Sequence, residues 1–325
     1  MRLYTAGVNQ AGQRLDKLLR KLLPQAGNGF IYRMLRKKNI TLNGARASGS
    51  EIVSPGDAIR LWLSDETIDR FSAREEEEKA PSLEQSRIVY EDADILLYDK
   101  PAGLLSQKAA ASDISASEML VEYLKRKNGS SPDDQIGFRP SFCNRLDRNT
   151  SGLLIGGKSL AGLQDMSRML KERTLHKDYL AVAEGKMTEA AELKGYLIKD
   201  ERTNKVRISK EGPGDYVHTE IRPVFYDGVR SLLMVRLHTG KPHQIRAHLA
   251  STGHPITGDV KYGACVSGGD RKNGVLRQLL HAYRLTFPDG RSFTAPVPED
   301  MKKAVRGYQW EEGKPEDFED LSLRI

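Results

Sequence analysis

Two cysteines in 325 residues, Cys143 and Cys265, are too few to staple a domain with disulfides or to build a thiolate zinc site. Each is expected to be a small buried apolar residue rather than a nucleophile. No stretch approaches the roughly 18 to 20 consecutive apolar residues that a bilayer span requires, so a membrane protein is excluded. Met1 to Gly12 carries no apolar core of a secretory leader, and a cytoplasmic protein is expected. Metal-ligand spacing is also missing. His243 and His248 lie five apart with no Glu beside the first, and His254 and His281 stand alone. What is present is a chain with 38% hydrophobic and 29% charged residues, able to bury a core and well solvated. Its length suggests about two ordinary domains.

The net charge of +7 is informative through its distribution. Residues 1–62 carry 11 Lys and Arg against 3 Asp and Glu, residues 63–86 carry 3 against 8, and residues 299–325 carry 5 against 8. Basic charge is therefore concentrated in a small N-terminal module and in the long middle segment. That is the footprint expected of a protein that holds a phosphate backbone. From charge alone, solubilising a small domain is an equally good reading.

Leu15, Leu18, Leu19, Leu22 and Leu23 form one apolar helix face, and Pro24 stops it. In a second short helix Ile31, Met34 and Leu35 face inward, leaving Arg33, Arg36, Lys37 and Lys38 as a dense basic edge. The alternating stretches at 40–44 and 57–63 predict a small sheet, with Asn43-Gly44 as a tight turn. The chain thus divides into a module at 1–63, an acidic flexible linker at 64–86, a large domain at 87–298 and an acidic tail at 299–325. A polar surface loop is expected at 125–135, inside the large domain. Strands are expected at 88–90, 95–98, 153–155, 177–183, 231–237 and 282–287, and helices at 115–127, 160–172 and 243–252. They do not alternate strictly, so the class is α+β with a mixed, mostly antiparallel sheet rather than a doubly wound parallel one.

Gly152 to Ser159 matches the phosphate-loop pattern of Gly, four residues and Gly-Lys-Ser. A phosphate cradle needs exposed backbone amides, whereas Leu153-Leu154-Ile155 wants to be a buried strand, so no nucleotide cofactor is expected. The segment before it is chemically richer. In Asn144-Arg145-Leu146-Asp147-Arg148-Asn149-Thr150-Ser151 an acid stands between two arginines. A carboxylate held there stays ionised, which suits a nucleophile or an electrostatic stabiliser better than a general acid. Spacing alone favours an ordinary Arg-Asp surface pair in a loop. Thr239 to His248, rich in donors and without an acid, leads into a helix and could receive a phosphate or the Asp147 carboxylate.

The run Arg145-Leu146-Asp147-Arg148-Asn149-Thr150-Ser151-Gly152-Leu153-Leu154 resembles the signature of the RluA-type family of RNA pseudouridine synthases. The family's other motifs are matched in order by 99–104, 177–181, 240–248, 253–256, Gly258-Asp259 and Tyr262-Gly263. The resemblance spans residues 87–298, while residues 14–63 resemble the S4-type RNA-binding module, closest to the RluC-like branch. It implies cofactor-independent isomerisation of uridine to pseudouridine, with the uridine extruded from its stack into a pocket. The RNA implied is ribosomal, from the large subunit, and nothing requires more than a monomer. By the same resemblance Asp147 is the essential carboxylate, attacking C1′ or abstracting the C2′ proton. Tyr179 stacks on the uracil, Arg246 pairs with Asp147, and Arg145 holds the opened RNA. Without the resemblance, Tyr179 reads as a core tyrosine and Arg246 as a solvated helix residue. Two positions depart from the family pattern. Asn144 stands where histidine is common, and Lys241-Pro242 where Arg-Thr is common, which leaves an altered RNA contact open. The rival functions are a non-catalytic RNA-binding or ribosome-assembly protein and, more weakly, a nucleotide hydrolase.

Overall fold

The structure, a computed structural model, describes residues 1–73, 80–110, 112–128, 138–200, 202–203, 205–272 and 274–310. The acidic run at 75–78, most of the polar loop expected at 125–135 and the tail beyond 310 lie outside the described residues.

The N-terminal unit comprises β1 (Arg2–Thr5), α1 (Leu15–Leu22), α2 (Asn28–Arg36), β2 (Ile40–Leu42), β3 (Ala45–Arg46), β4 (Ala58–Leu61) and α3 (Asp65–Ser72). The strands form an antiparallel sheet in the order β1-β4-β2-β3. Leu15, Leu18, Leu19 and Leu22 of α1 and Ile31 and Leu35 of α2 bury against Ile40, Ile59 and Leu61 of the sheet. Asn43 and Gly44, with φ of 50° and 76°, close the β2–β3 turn with the left-handed pair that such hairpins favour.

Helix α3 corrects the boundary expected at residue 63. The Ser64 hydroxyl caps it by accepting from the Thr67 amide, Ile68 is buried in the module's core, and Phe71 packs 4.5 Å from Phe30. The module therefore runs through Ser72. Only two apolar residues, three apart, anchor this helix, too few to stand out in an acidic segment.

The second unit comprises β5 (Ile88–Glu91), β6 (Ile95–Lys100), α4 (Ala116–Asn128), β7 (Ser141–Phe142), β8 (Ser151–Gly157), α5 (Leu160–Glu172) and β9 (His176–Glu184). It continues with β10 (Ala191–Asp200), β11 (Lys205–Ser209), β12 (Asp215–Tyr226), β13 (Arg230–Leu237) and α6 (Gln244–Ser251). It ends with α7 (Gly268–Lys272), β14 (Leu280–Thr286), β15 (Ser292–Thr294) and α8 (Glu299–Ala304). Eleven strands form one sheet with the path β11-β10-β12-β13-β9-β14-β8-β6-β5, while β15 pairs with β14 and β7 with β8. Every strand pairing in it is antiparallel except β14 with β8. The class is α+β with a mixed, mostly antiparallel sheet.

The centre of this sheet is buried on both faces, which is why β9 and β13 read as nearly continuous apolar runs. In β9, Tyr179, Ala181 and Ala183 join a core with residues of α4 and α6, while Leu180 and Val182 join a second core on the other face. Burying each such aliphatic side chain contributes roughly 1.5 to 3 kcal/mol.

Two further expectations are revised, and the reading of the phosphate-loop match as a buried strand holds. Residues 299–310 belong to the domain rather than to a tail. Met301, Ala304 and Val305 share the core of Leu180 and Val182, and Asp300 accepts from Arg277 Nε and Nη2 at 2.7 and 2.9 Å. Cys265 is exposed rather than buried, whereas the half-buried Cys143 has its thiol pushed up to about 11 by burial. The strand expected at 153–155 lies within β8, buried along its whole length. The Lys158 ammonium then pairs with Glu91 at 2.6 Å, and Ser159 caps α5 through the Gly162 amide.

Candidate active site

The site grows out of one register row of the sheet. Val235 pairs with Tyr179, Tyr179 with Ala282, Ala282 with Gly152 and Gly152 with Lys100. The arginine-flanked loop ends at this row, where β8 begins. Gly152 has φ +108°, and a Cβ there would sit 2.2 Å from the Ala282 carbonyl oxygen. Only glycine lets the two parallel strands close at this point.

The loop bearing Asp147 is clamped from several sides. Buried Ser106 donates its hydroxyl to the Leu146 carbonyl at 2.9 Å and accepts from the Leu146 amide at 3.0 Å. The Arg148 carbonyl accepts from the Gly103 amide at 2.9 Å and from Lys100 Nζ at 3.0 Å. Lys100 is fully buried. Burial, followed by the Arg277 charge, draws its ammonium down to about 7, and the Pro101 and Leu104 carbonyls also accept from it. Arg277 Nη1 donates to the Asn149 carbonyl at 3.1 Å. A loop held through the backbone groups of Leu146, Arg148 and Asn149 presents its one carboxylate in a fixed pose.

Asp147 meets Arg246 of α6. Arg246 Nη1 donates to Asp147 Oδ2 at 2.9 Å, while its Nε and Nη2 donate to Asp259 Oδ2 and Oδ1 at 2.6 and 2.8 Å. Asp259 thus takes the fork of the guanidinium and Asp147 takes the remaining corner. The side chain of Asp259 is 1% exposed, that of Arg246 8% and that of Asp147 26%, so the chain of charges runs from the interior to an accessible carboxylate. Burial opposes the charge on Arg246, yet Asp259 and then Asp147 hold its pKa above the ordinary value.

Two tyrosines and a histidine complete the surround. Tyr262 lies with its ring centroid 5.0 Å from the Arg246 guanidinium carbon, and its hydroxyl meets His243 Nδ1 at 2.9 Å. His243 Nε2 lies 3.7 Å from Asp147 Oδ2. Burial pulls the His243 imidazole below its ordinary pKa against the attraction of Asp147, which favours the neutral ring near pH 7. Tyr179 is buried. Its phenol is raised by burial first and by the Asp147 charge second, so it stays protonated. A carboxylate oriented through Oδ2 and open on its other side, beside a protonated phenol and a sealed guanidinium, can attack an electrophilic carbon or take a proton.

Of the residues singled out from sequence, Asp147, Arg246 and Tyr179 come together, and Arg145 is exposed two positions before Asp147. Arg33, Arg36, Lys37 and Lys38 are all exposed on α2 and the turn after it, in the other unit. The Asn144 side chain donates to the Leu153 carbonyl at 3.2 Å and accepts from the Ile155 amide at 2.8 Å, which ties it to β8. Lys241 forms an ion pair with Asp215 at 2.7 Å.

Sequence reasoning did not single out Asp259, His243, Tyr262 or Lys100 as site residues. Asp259 carried a local signal, the Gly258-Asp259 step among the motifs that carry the family resemblance. Gly258 has φ +82°, and a Cβ there would lie 2.0 Å from the Arg277 carbonyl oxygen, so the turn that aims Asp259 inward is closed by glycine alone.

The comparisons give the class of protein, an RNA-modifying isomerase. Residues 94–251 match the family model described as RNA pseudouridylate synthase. The chain belongs to the RluA-type family of RNA pseudouridine synthases, on its RluC-like side. It is 31% identical to ribosomal large subunit pseudouridine synthase C of Escherichia coli K12, over 92% of this chain and 93% of that protein. It is 30% identical to the Salmonella typhi enzyme of the same name, over 94% of this chain and 96% of that one. Ribosomal large subunit pseudouridine synthase D of Nitrosomonas europaea is 29% identical over 93% and 86%. The solved human RNA pseudouridylate synthase domain containing 4 shares the fold, with a TM-score of 0.56 at 20% identity over 68% of this chain and 92% of that one.

Proposed function

We propose that this pseudouridine synthase acts on large-subunit ribosomal RNA, with Asp147 as its catalytic carboxylate. The substrate rests on the printed names of the relatives that match nearly the whole chain. The observation that carries the site assignment is the Asp147–Arg246–Asp259 chain, which holds one partly exposed carboxylate against a buried cation. In the reaction the N1–C1′ bond of the uridine breaks, the uracil turns, and C5 bonds to C1′. The C5 hydrogen leaves to solvent and N1 gains a proton, so the product is an isomer. Arg246 orients Asp147 and balances its charge while C1′ becomes electron-poor. Tyr179 offers a ring against which the freed uracil stays stacked as it turns, worth roughly 1 to 3 kcal/mol.

Arg145 contacts the RNA strand from which the uridine has been extruded, and Arg33, Arg36, Lys37 and Lys38 hold phosphates from the S4-like module. Tritium release from RNA labelled at uracil C5 tests the reading, because only a catalyst exchanges that hydrogen. The wild-type chain is expected to release tritium stoichiometrically with pseudouridine. RNA binding without release would return the chain to the non-catalytic alternative.

A further inference from the structure

The N-terminal module carries an aromatic group that its core does not use. In β4, Ile59 and Leu61 point into the core, so Arg60 and Trp62 fall on the outer face. Trp62 is 49% exposed and its indole N–H donates to the Thr41 hydroxyl at 3.4 Å, which lays the ring over the outer face. Register continues that face across all four strands: Leu3 pairs with Arg60, Arg60 with Thr41 and Thr41 with Arg46. Leu3 is 52% exposed, and Arg46 and Arg60 are exposed as well. The row contains two cations, an apolar side chain and no carboxylate. The Trp62 amide donates to the Asn39 carbonyl at 2.8 Å, so this face joins the basic edge at Lys37 and Lys38.

A π-face bounded by guanidinium groups, with the indole N–H already engaged, suits one chemistry. Bases stack on aromatic rings without regard to sequence, and flanking arginines neutralise the adjoining phosphates. Paired bases in a duplex do not offer their faces, so the complementary partner is a single-stranded RNA segment. We propose that Trp62 is a stacking platform for an unpaired base of the RNA substrate, with Arg60 and Arg46 on its phosphates. The proposal rests on the RNA-modifying reading above and extends its binding surface from α2 onto the sheet.

Trp62 and Trp310 are the only tryptophans, so a Trp310→Phe chain reports on Trp62 alone. Titration of that full chain with a single-stranded oligoribonucleotide is expected to quench Trp62 emission saturably, and the same sequence in a duplex to quench it far less. Trp62→Ala is expected to weaken single-strand binding by roughly 5- to 150-fold, with the salt dependence unchanged. Trp62→Phe restores most of the affinity, whereas Arg60→Gln lowers the salt slope by about 0.7. Unquenched emission at saturating RNA, or wild-type affinity in Trp62→Ala, overturns the proposal and leaves the face to a protein partner or to none. If the wild-type chain forms pseudouridine while Trp62 stays unquenched, this inference alone fails. Quenching without any pseudouridine formation overturns the activity reading alone.

Discussion

Asp147 is placed by its neighbours' backbone contacts as much as by the one strong bond its own side chain accepts. The Leu146, Arg148 and Asn149 backbone groups are all tied down, and Arg246 reaches the carboxylate from a guanidinium locked on Asp259. Two substitutions separate position from chemistry. Asp147→Asn keeps the shape and an acceptor for Arg246 but removes the charge, so tritium release is expected to vanish while RNA binding by gel shift stays within about threefold, a change worth under 1 kcal/mol. Release at the wild-type rate by this variant would remove Asp147 from the mechanism. Asp259→Asn leaves a buried guanidinium short of a counter-charge, which costs about 3 to 5 kcal/mol of stability when a buried pair is broken. Its denaturant midpoint is expected to fall accordingly, with turnover reduced even where the chain remains folded. An unchanged midpoint would show that Asp259 anchors nothing.

At the level of elements, legibility followed how much of the signal was local. Helix α5 spans the expected 160–172, and β9 and β13 lie where apolar runs predicted them, because a strand buried on both faces writes that burial into its sequence. The strands β10 to β12 escaped notice. Their residues alternate between buried and exposed with charged side chains on the open face, and their pairing is set by neighbours rather than by composition. The joining of Asp147 to Arg246 could be expected from the family resemblance, whereas Asp259 depends on a turn whose aim is fixed only by the packed Arg277 backbone. The closest tolerance is at β8 and β14. Gly152→Ala must displace the Ala282 carbonyl and also adopt an unfavourable φ, so a loss of more than about 3 kcal/mol is expected, read as a lower thermal midpoint or insoluble protein. A wild-type midpoint for that variant would mean that the two strands do not meet so closely.

For the whole molecule, buried ionisable groups set how stability follows pH. His248 is drawn down to about 4 by burial and then by His218, and His281 to about 3 by burial and then by Arg277. Between those values and the unfolded value near 6.5, the unfolded chain binds more protons than the folded one. Stability therefore rises with pH up to about 6.5, by about 1.4 kcal/mol per pH unit for each histidine. Asp99 acts in the opposite sense, since burial raises it to about 6 despite Arg87, and the folded chain then binds the extra proton between about 4 and 6. Two groups against one leave a net gain, so the urea midpoint is expected to be higher at pH 7 than at pH 5, with a smaller difference in His248→Gln. A midpoint that falls over this range would contradict the burial of these rings. Under the proposed function, the basic charge of the N-terminal module and that of the sheet domain serve the same RNA partner. The most direct test is to map pseudouridine in large-subunit ribosomal RNA from cells expressing the wild-type chain, the Asp147→Asn chain or neither. Sites present only with the wild-type chain are predicted, and an identical pseudouridine map in all three would contradict the account.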